Sequence, residues 1–291
     1  MGLKGLKQKL VPPILATRPG ESITPDQLHA VVIAFPGSGR SWLRMMLARV
    51  FELQLGLPGV AIEQLAALKP HPRVPMILYA HDDYPQWKTP EELDHDKTRY
   101  RNESVIFLSR DPRDILVSNY YQKSKGFLPP PDGALAASTT LAPRVQPFAG
   151  SIEEFAQQEI GGLDTIISYL NIWNENREAT KKFLHIRYED LNLDTAATLK
   201  KVARFLGFSS ISDAIIQEAV KFGSIDNMRA LEAKNDQRLP FLLPGNVNDP
   251  ESYKTRRGEV GAFCQYLSAA TVLDITTKVR AQLSPDFRYA L

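Results

Sequence analysis

The chain has 291 residues, of which 43% are hydrophobic and 23% charged, with a formal net charge of +2 and one cysteine, Cys264. This composition is that of a globular α/β protein; the lone cysteine excludes an internal disulfide, and the near-neutral charge excludes a broad nucleic-acid surface. No apolar run approaches the roughly 18–20 residues of a membrane span, and the N-terminus does not resemble a secretory signal. We therefore expect a cytoplasmic protein without a nucleic-acid or membrane partner.

The first predicted elements are a strand, a glycine-rich loop and a helix. The β-branched run "HAVVIAF" (29–35) ends at Pro36 and Gly37, which is typical of a buried strand that enters a turn. From Ser41 onward apolar residues recur at helical spacing, and Ser41 itself is a suitable N-cap. Backbone N–H groups at such a loop can converge on an oxyanion, so this order of elements predicts a phosphate-type site.

Further strands and helices alternate along the chain, which predicts an α/β fold of three layers, with a mainly parallel central sheet and helices on both faces. We expect a single domain over residues 1–291, with an N-terminal extension at 1–28 and lid loops at 126–150 and 234–255. In such sheets the ligand binds beyond the carboxyl ends of the strands. The predicted strands lie at 75–81, 103–109 and 182–188, and the predicted helices at 110–122, 164–178, 194–207 and 268–283.

The loop "PGSGRSWL" (36–43) does not identify its ligand by itself. It lacks the lysine of the triphosphate-binding loop G-x-x-x-x-G-K-[ST], in which the lysine serves the β- and γ-phosphates and the hydroxyl holds magnesium. A P-loop kinase is therefore disfavoured. A glycine turn that binds no ligand remains the plain alternative.

The same loop resembles the P-K-S-G-T-T-W-L loop of sulfotransferases that use 3′-phosphoadenosine 5′-phosphosulfate (PAPS), which wraps the 5′-phosphosulfate. The family's lysine position holds Gly37 here, and we expect Arg40 to supply the missing cation, because a guanidinium can grip two oxygens at once. A surface arginine near a helix start is the alternative for Arg40. The resemblance implies donor contacts from Gly37, Ser38, Gly39, Arg40, Ser41 and Trp42.

A second cationic motif, "RDPRDILVSNYY" (110–121), follows the strand predicted at 103–109. On its own, Arg110 could simply belong to a capping network with Asp111 and Asp114. The stretch resembles the family's R-[ND]-P-[KR]-D-x-x-V-S-x-Y-Y, in which the arginine and serine bind the 3′-phosphate, a group that ATP lacks. The resemblance implies this role for Arg110 and Ser118.

A third motif, "YKTRRGEVGAF" (253–263), resembles the family's R-K-G-x-x-G segment, although the tryptophan that commonly follows is absent. Alone it would be a solvated basic pair. The resemblance implies that Arg256, Arg257 and Gly258 complete the 3′-phosphate site.

Two segments resemble the parts of the family that surround the adenine. Tyr188 opens "YEDL", which resembles the family element whose tyrosine lies against the adenine, although a tyrosine here could equally be a core-edge aromatic. The stretch "FGSIDNMRALE" (222–232) resembles a segment that contributes to the adenine pocket. Both are therefore expected near the nucleotide base.

The predicted general base is His81. An imidazole suits proton removal at neutral pH, and of five histidines His81 alone is predicted at the carboxyl end of a central strand. It matches the base histidine of the family's K-T-H-x-P element, whose lysine position holds Tyr79 here. The alternative is a structural salt bridge to Asp82 or Asp83; as substrate-binding residues, these carboxylates would favour a cationic or polyhydroxylated acceptor.

Together the resemblance runs from about residue 30 to 265 and implies sulfuryl transfer from PAPS, with 3′-phosphoadenosine 5′-phosphate (PAP) as product and no metal. The acceptor would be a hydroxyl, or an amine, of a small molecule or glycan, attacked in line with His81 as base. A P-loop kinase is one alternative, and a non-catalytic nucleotide-binding protein, favoured by Gly37, is another. A homo-oligomer is left open.

Overall fold

The computed structural model describes residues 28–57, 59, 71–126 and 144–289. Nearly all of the predicted N-terminal extension (1–28), and residues 127–143 of the predicted 126–150 loop, lie outside the described residues.

Four parallel strands form one sheet in the order β2-β1-β3-β4. Val32 of β1 pairs with Ile106 of β3, which in turn pairs with Leu184 of β4. The predicted central position of the strand before His81 is wrong, because β2 is an edge strand of the sheet that the described residues form. The strands are β1 (Leu28–Ile33), β2 (Met76–Ala80), β3 (Ser104–Ser109) and β4 (Lys182–Arg187).

The helices of the described residues connect and cover these strands. They are α1 (Arg40–Leu55), α2 (Pro112–Ser124), α3 (Ile152–Ala156), α4 (Leu163–Glu175), α5 (Tyr188–Leu193), α6 (Thr195–Phe205), α7 (Asp213–Phe222), α8 (Ile225–Ala233) and α9 (Ala269–Gln282). None of them combines the length and apolar character needed to cross a membrane.

The sheet separates two hydrophobic cores, because successive side chains of a strand face opposite sides. Val31 and Ile33 of β1 pack in the core that contains α2, α4 and α9. Ala30 and Val32 pack in the core that contains α1, α6 and α7. The predicted three-layer architecture with helices on both faces is confirmed.

The first helix begins differently from the prediction. Its N-cap is Gly39, in the left-handed region with φ of 89° and without a side-chain cap bond, so the prediction of Ser41 as N-cap is wrong. Since the helix already begins at Arg40, Ser41 lies inside its first turn. The Ser41 hydroxyl instead donates to the carbonyl oxygen of Phe241 at 3.2 Å.

The parallel sheet brings the candidate site residues to one edge. The glycine-rich loop follows β1, His81 follows β2, Arg110 follows β3 and Tyr188 follows β4. The predicted loop 234–255 is largely irregular, with short 3₁₀ turns at Pro240–Leu242 and Pro250–Ser252.

Candidate active site

A cavity of about 570 Å³ lies beyond this edge of the sheet, where ligands of open α/β folds bind. Within the described residues no group of three or more His, Cys, Asp or Glu side chains is arranged to hold a metal ion. The predicted residues that line the cavity are Gly37, Gly39, Arg40, Ser41, Trp42, His81, Arg110, Ser118, Tyr188, Arg256, Arg257 and Gly258.

The glycine loop is tightly enclosed by other site residues. A Cβ atom on Gly37 would lie 2.9 Å from the Ser118 side chain, and one on Gly39 would lie 2.6 Å from the Tyr188 ring. Both glycines also have positive φ, 88° and 89°, so a larger residue would be strained at either position. The Ser38 hydroxyl is buried without a hydrogen-bond partner among the described residues, although Ser38 does not line the cavity.

Arg110 joins three parts of the cavity wall. Its guanidinium donates to the carbonyl oxygens of Gly37 at 3.0 Å and Glu259 at 2.9 Å, and lies 4.3 Å from the centroid of the Tyr188 ring. Of the alternative network with Asp111 and Asp114, the Asp111 part is wrong, because Asp111 caps α2 and binds Arg113, whereas Arg110 does lie 3.9 Å from the Asp114 carboxylate. The motif therefore places Arg110 next to the glycine loop.

Asp114 holds the turn at 258–263 against α2. Its carboxylate accepts from the backbone N–H groups of Gly261 at 2.8 Å and Phe263 at 3.2 Å, and the Tyr188 hydroxyl donates to the carbonyl oxygen of Gly258 at 2.7 Å. Burial raises the pKa of Asp114, and Arg110 opposes this shift. This positioning role of the second aspartate in "RDPRD" is absent from the sequence prediction.

The two arginines of the third motif contact aromatic and polar neighbours at the cavity rim. The Arg256 guanidinium lies 3.8 Å from the centroid of the Tyr121 ring and donates to the Tyr266 hydroxyl at 3.3 Å. Arg257 is exposed and donates to Gln265 at 2.9 Å. Both remain within the cavity lining, as predicted.

One wall of the cavity is apolar and aromatic. The Trp42 indole donates to the carbonyl oxygen of Gly223 at 2.7 Å, and its ring lies 5.6 Å from the Tyr188 ring between centroids. Ile225 and Met228, from the segment 222–232, complete this wall. A flat heterocycle fits such a surface.

The His81 side chain is held between Arg40 and the backbone that follows β1. Its Nδ1 lies 2.8 Å from the carbonyl oxygen of Ala34, and its Nε2 lies 2.7 Å from Nη2 of Arg40. Because a carbonyl oxygen only accepts, Nδ1 carries the proton and Nε2 is the basic nitrogen. Burial and the positive charge of Arg40 lower the pKa of His81 well below 6.5, so the imidazole is neutral at pH 7.

The two aspartates after His81 have partners outside the cavity. Asp82 is 6% exposed and pairs with Lys97 at 2.7 Å, with Arg99 and with the Tyr100 hydroxyl. Asp83 pairs with Lys88, and neither aspartate lines the cavity. The alternative of a salt bridge from His81 to these carboxylates is wrong, and the arrangement argues against the predicted acceptor-binding role.

The comparison with known proteins identifies the family. The profile of the sulfotransferase domain matches residues 27–284. The chain belongs to the sulfotransferase family. This sulfotransferase is 24% identical over 262 residues to "Cytosolic sulfotransferase 12" of Arabidopsis thaliana, covering 84% of this chain and 74% of the relative. It is 23% identical over 259 residues to "Sulfotransferase 1B1" of Mus musculus, covering 82% and 77%.

Solved structures of other proteins share the fold of this sulfotransferase. Mouse sulfotransferase SULT7A1, complexed with PAP, aligns with a TM-score of 0.56 and 19% identity over 91% of this chain and 90% of that protein. Retinol dehydratase, in complex with androsterone and the inactive cofactor PAP, aligns with a TM-score of 0.59 and 13% identity, covering 87% and 80%.

Sequence reasoning missed several cavity residues. Phe241 belongs to a segment predicted only as a lid loop, Lys254 lies in the motif at 253–263 without having been assigned a role, and Arg44 lies behind Phe241. For Arg44 the available signal is its position four residues after Arg40, which places both on one face of α1.

We predict that Asp82→Asn lowers the free energy of unfolding by about 3–5 kcal/mol, because it leaves the buried Lys97 without its carboxylate. Burial raises the pKa of Asp82, but the charges of Lys97 and Arg99 outweigh burial and lower this pKa below its ordinary value of 3.8. The ion pair therefore stabilises the fold fully above the ordinary pKa. This stabilisation is lost as the pH falls through the lowered pKa of the folded protein. Denaturant unfolding at pH 7 and at pH 3 measures both effects.

The control is Asp96→Asn, which changes an exposed aspartate in the same region. We expect this control to alter stability by less than about 0.5 kcal/mol. An Asp82→Asn protein of unchanged stability and altered acceptor preference would contradict the structural role and restore the acceptor-binding one.

Proposed function

We propose that this sulfotransferase transfers a sulfuryl group from PAPS to a hydroxyl, or an amine, of a small-molecule or glycan acceptor and releases PAP. The observation that carries the proposal is the position of Arg110. Its guanidinium donates both to the carbonyl oxygen of Gly37 in the glycine loop and to that of Glu259 in the turn at 256–259, which we call the basic turn. We infer that the glycine loop and the turn at 256–259 are two neighbouring anion-binding regions, joined by Arg110, with Trp42 and Tyr188 in the same cavity wall. A nucleotide with phosphates on both the 5′ and 3′ positions matches this arrangement.

Unpartnered polar groups support the fit of the donor. Arg40 Nη1 and Arg110 Nε, on two side chains that line the cavity, are buried without hydrogen-bond partners among the described residues. Gly37 and Gly39 lie so close to Ser118 and Tyr188 that a Cβ at either glycine would clash, so the loop directly adjoins two residues assigned to the nucleotide. The loop from Gly37 to Trp42 would hold the 5′-phosphosulfate, Arg110, Ser118, Arg256, Arg257 and Gly258 the 3′-phosphate, and Tyr188 and Trp42 the adenine.

When bound, the donor supplies an activated sulfuryl group. His81 accepts the acceptor's hydroxyl proton at Nε2 as the new S–O bond forms, and its Nδ1 bond to Ala34 fixes the ring. The Arg40 guanidinium, which covers Nε2 in this structure, must exchange that bond for the anion. The charge of Arg40 then stabilises the leaving phosphate, so Arg40 takes the place of the lysine that the family has at the position of Gly37.

This proposal includes three expectations about the whole protein. The chain acts as a single sulfotransferase domain in the cytoplasm. The segment 234–255 acts as a lid, for which Phe241, Lys254 and Thr255 in the cavity wall are the support. Because the loop's own N–H groups and Arg40 neutralise the anion, the reaction proceeds without a metal.

We predict that PAP, which is adenosine 3′,5′-bisphosphate, binds at least tenfold more tightly than adenosine 5′-monophosphate. We further predict that Arg110→Met removes most of this difference in affinity. A charge-assisted bond to the 3′-phosphate contributes about 1.5–3 kcal/mol, which corresponds to tenfold or more in affinity. Isothermal titration calorimetry measures both constants.

Arg101→Met, at an exposed arginine, is the matched control and should retain the selectivity. Tighter binding of ATP with magnesium than of the bisphosphate would instead support a P-loop kinase. Retained selectivity in Arg110→Met would remove the assigned 3′-phosphate site.

We predict that His81→Asn lowers sulfuryl transfer at least 100-fold while the affinity for adenosine 3′,5′-bisphosphate changes less than threefold, since general-base catalysis contributes roughly 10²–10⁴. The active form of the base is deprotonated. Because the pKa of His81 is well below 6.5, kcat/KM of the wild-type protein should stay level from neutral pH to below 6.5.

The control is His71→Asn, a histidine outside the cavity lining. Transfer that persists in His81→Asn would assign the base to another residue. A wild-type protein that binds the bisphosphate but transfers nothing to any of a broad set of acceptors would support the non-catalytic alternative.

A further inference from the structure

Three cationic side chains surround the end of the cavity that contains His81. Arg40 contacts His81 directly, and the positive charge of Lys254 also acts on the imidazole. Arg40 and Arg44 lie one helical turn apart on α1 and repel each other, and both repel Lys254. Lys254 lines the cavity and is accessible to solvent.

No described carboxylate forms an ion pair with any of these three cations. The acid nearest Lys254 is Glu232, which is fully buried and accepts bonds from the backbone N–H groups of Lys254 at 2.6 Å and Thr255 at 3.0 Å. Among the described residues the Lys254 ammonium donates to the carbonyl oxygen of Phe241 alone, at 3.0 Å. This end of the cavity is therefore strongly electropositive.

Arg44 is held by aromatic rings rather than by an anion. Its guanidinium lies 3.9 Å from the centroid of the Phe241 ring and 4.8 Å from that of Tyr79. Its Nε atom and the Tyr79 hydroxyl are both buried without a hydrogen-bond partner among the described residues. The Phe241 ring belongs to the cavity wall, so Arg44 lies directly behind that wall and contributes its charge without lining the cavity.

Cations that lie close together in a partly enclosed cleft repel one another, and an anionic ligand offsets that repulsion. Burial lowers the pKa of Arg44 to about 10. Burial and the charges of Arg40 and Arg44 lower the pKa of Lys254 to about 8, and the charge of Glu232 opposes this shift. In the proposed function the donor's phosphosulfate engages Arg40. Among the described residues Arg44 then still has no ion pair, and Lys254 has the charge of Glu232 nearby but no ion pair with it.

We propose that the acceptor is itself an anion, a hydroxyl compound whose carboxylate, phosphate or phosphonate group binds Lys254, with the charge of Arg44 adding to the attraction, while its hydroxyl faces Nε2 of His81. This inference rests on the proposed function and names its acceptor class. It replaces the cationic acceptor predicted from Asp82 and Asp83, whose charges are paired elsewhere.

The test measures acceptor affinity in the protein saturated with adenosine 3′,5′-bisphosphate. One series consists of 4-hydroxyphenylacetate, 4-hydroxybenzylphosphonate, 4-ethylphenol and tyramine; the other consists of glucose, glucose 6-phosphate and glucosamine. The anionic members of at least one series should bind at least tenfold more tightly than the neutral and cationic ones, and kcat/KM with PAPS should follow the same order. The carboxylate and phosphonate arms identify the preferred oxyanion.

Lys254→Glu should lower the affinity for the anionic acceptors relative to the neutral ones at least tenfold. It should also move the acceptor preference towards tyramine or glucosamine. Lys254→Gln should give a smaller change in the same direction. Lys234→Glu, at an exposed lysine outside the cavity lining, makes the same change in net charge and should leave the ratio unaltered. Binding of the bisphosphate shows that each variant is folded.

Two results would overturn the inference while leaving the proposed function intact. One is transfer without any preference for anionic acceptors. The other is a Lys254→Glu variant that binds PAPS more weakly relative to the bisphosphate, while its ratio of affinities for anionic and neutral acceptors is unchanged. In that case Lys254 would serve the donor alone. Failure of the wild-type protein to bind the bisphosphate would overturn the proposed function itself.

Discussion

The site depends on the parallel direction of the four strands. Because every strand ends at the same edge, the glycine loop, His81, Arg110 and Tyr188 meet in one cavity although they are far apart in the sequence. Side-chain contacts then fix their distances. Arg110 bonds the glycine loop to the basic turn, and Asp114 holds that turn against α2.

The electrostatics of the cavity follow from the partners that the fold gives to each charge. Asp82 pairs with Lys97 and Arg99, so its charge is not available to the cations beside His81, none of which forms an ion pair with a described carboxylate. Burial beside Arg40 keeps His81 neutral and basic at Nε2. The same positive charge that suppresses protonation of the base also attracts the donor and, by our inference, an anionic acceptor.

The periodicity of the sequence predicts the layers and strands well, because alternating apolar residues and glycine turns are local signals. The motifs also predict which residues line the cavity. The position of β2 at the sheet edge, the partners of Asp82 and the packing of Arg44 on Phe241 depend on tertiary contacts between distant segments, which no local pattern encodes. Ser41 shows why the N-cap of a helix is hard to predict from a local pattern. Gly37 and Gly39 adopt positive φ, and the helix begins at Arg40, earlier than the position of Ser41 indicates.

A crystal structure with adenosine 3′,5′-bisphosphate tests the central claim most directly, namely that the strand ends build one site for a doubly phosphorylated nucleotide. Our account predicts the 5′-phosphate on the backbone N–H groups of residues 37–42, the 3′-phosphate on Arg110 and Ser118, and the adenine between Trp42 and Tyr188. A nucleotide bound elsewhere, or one whose 3′-phosphate contacts only solvent, would contradict it.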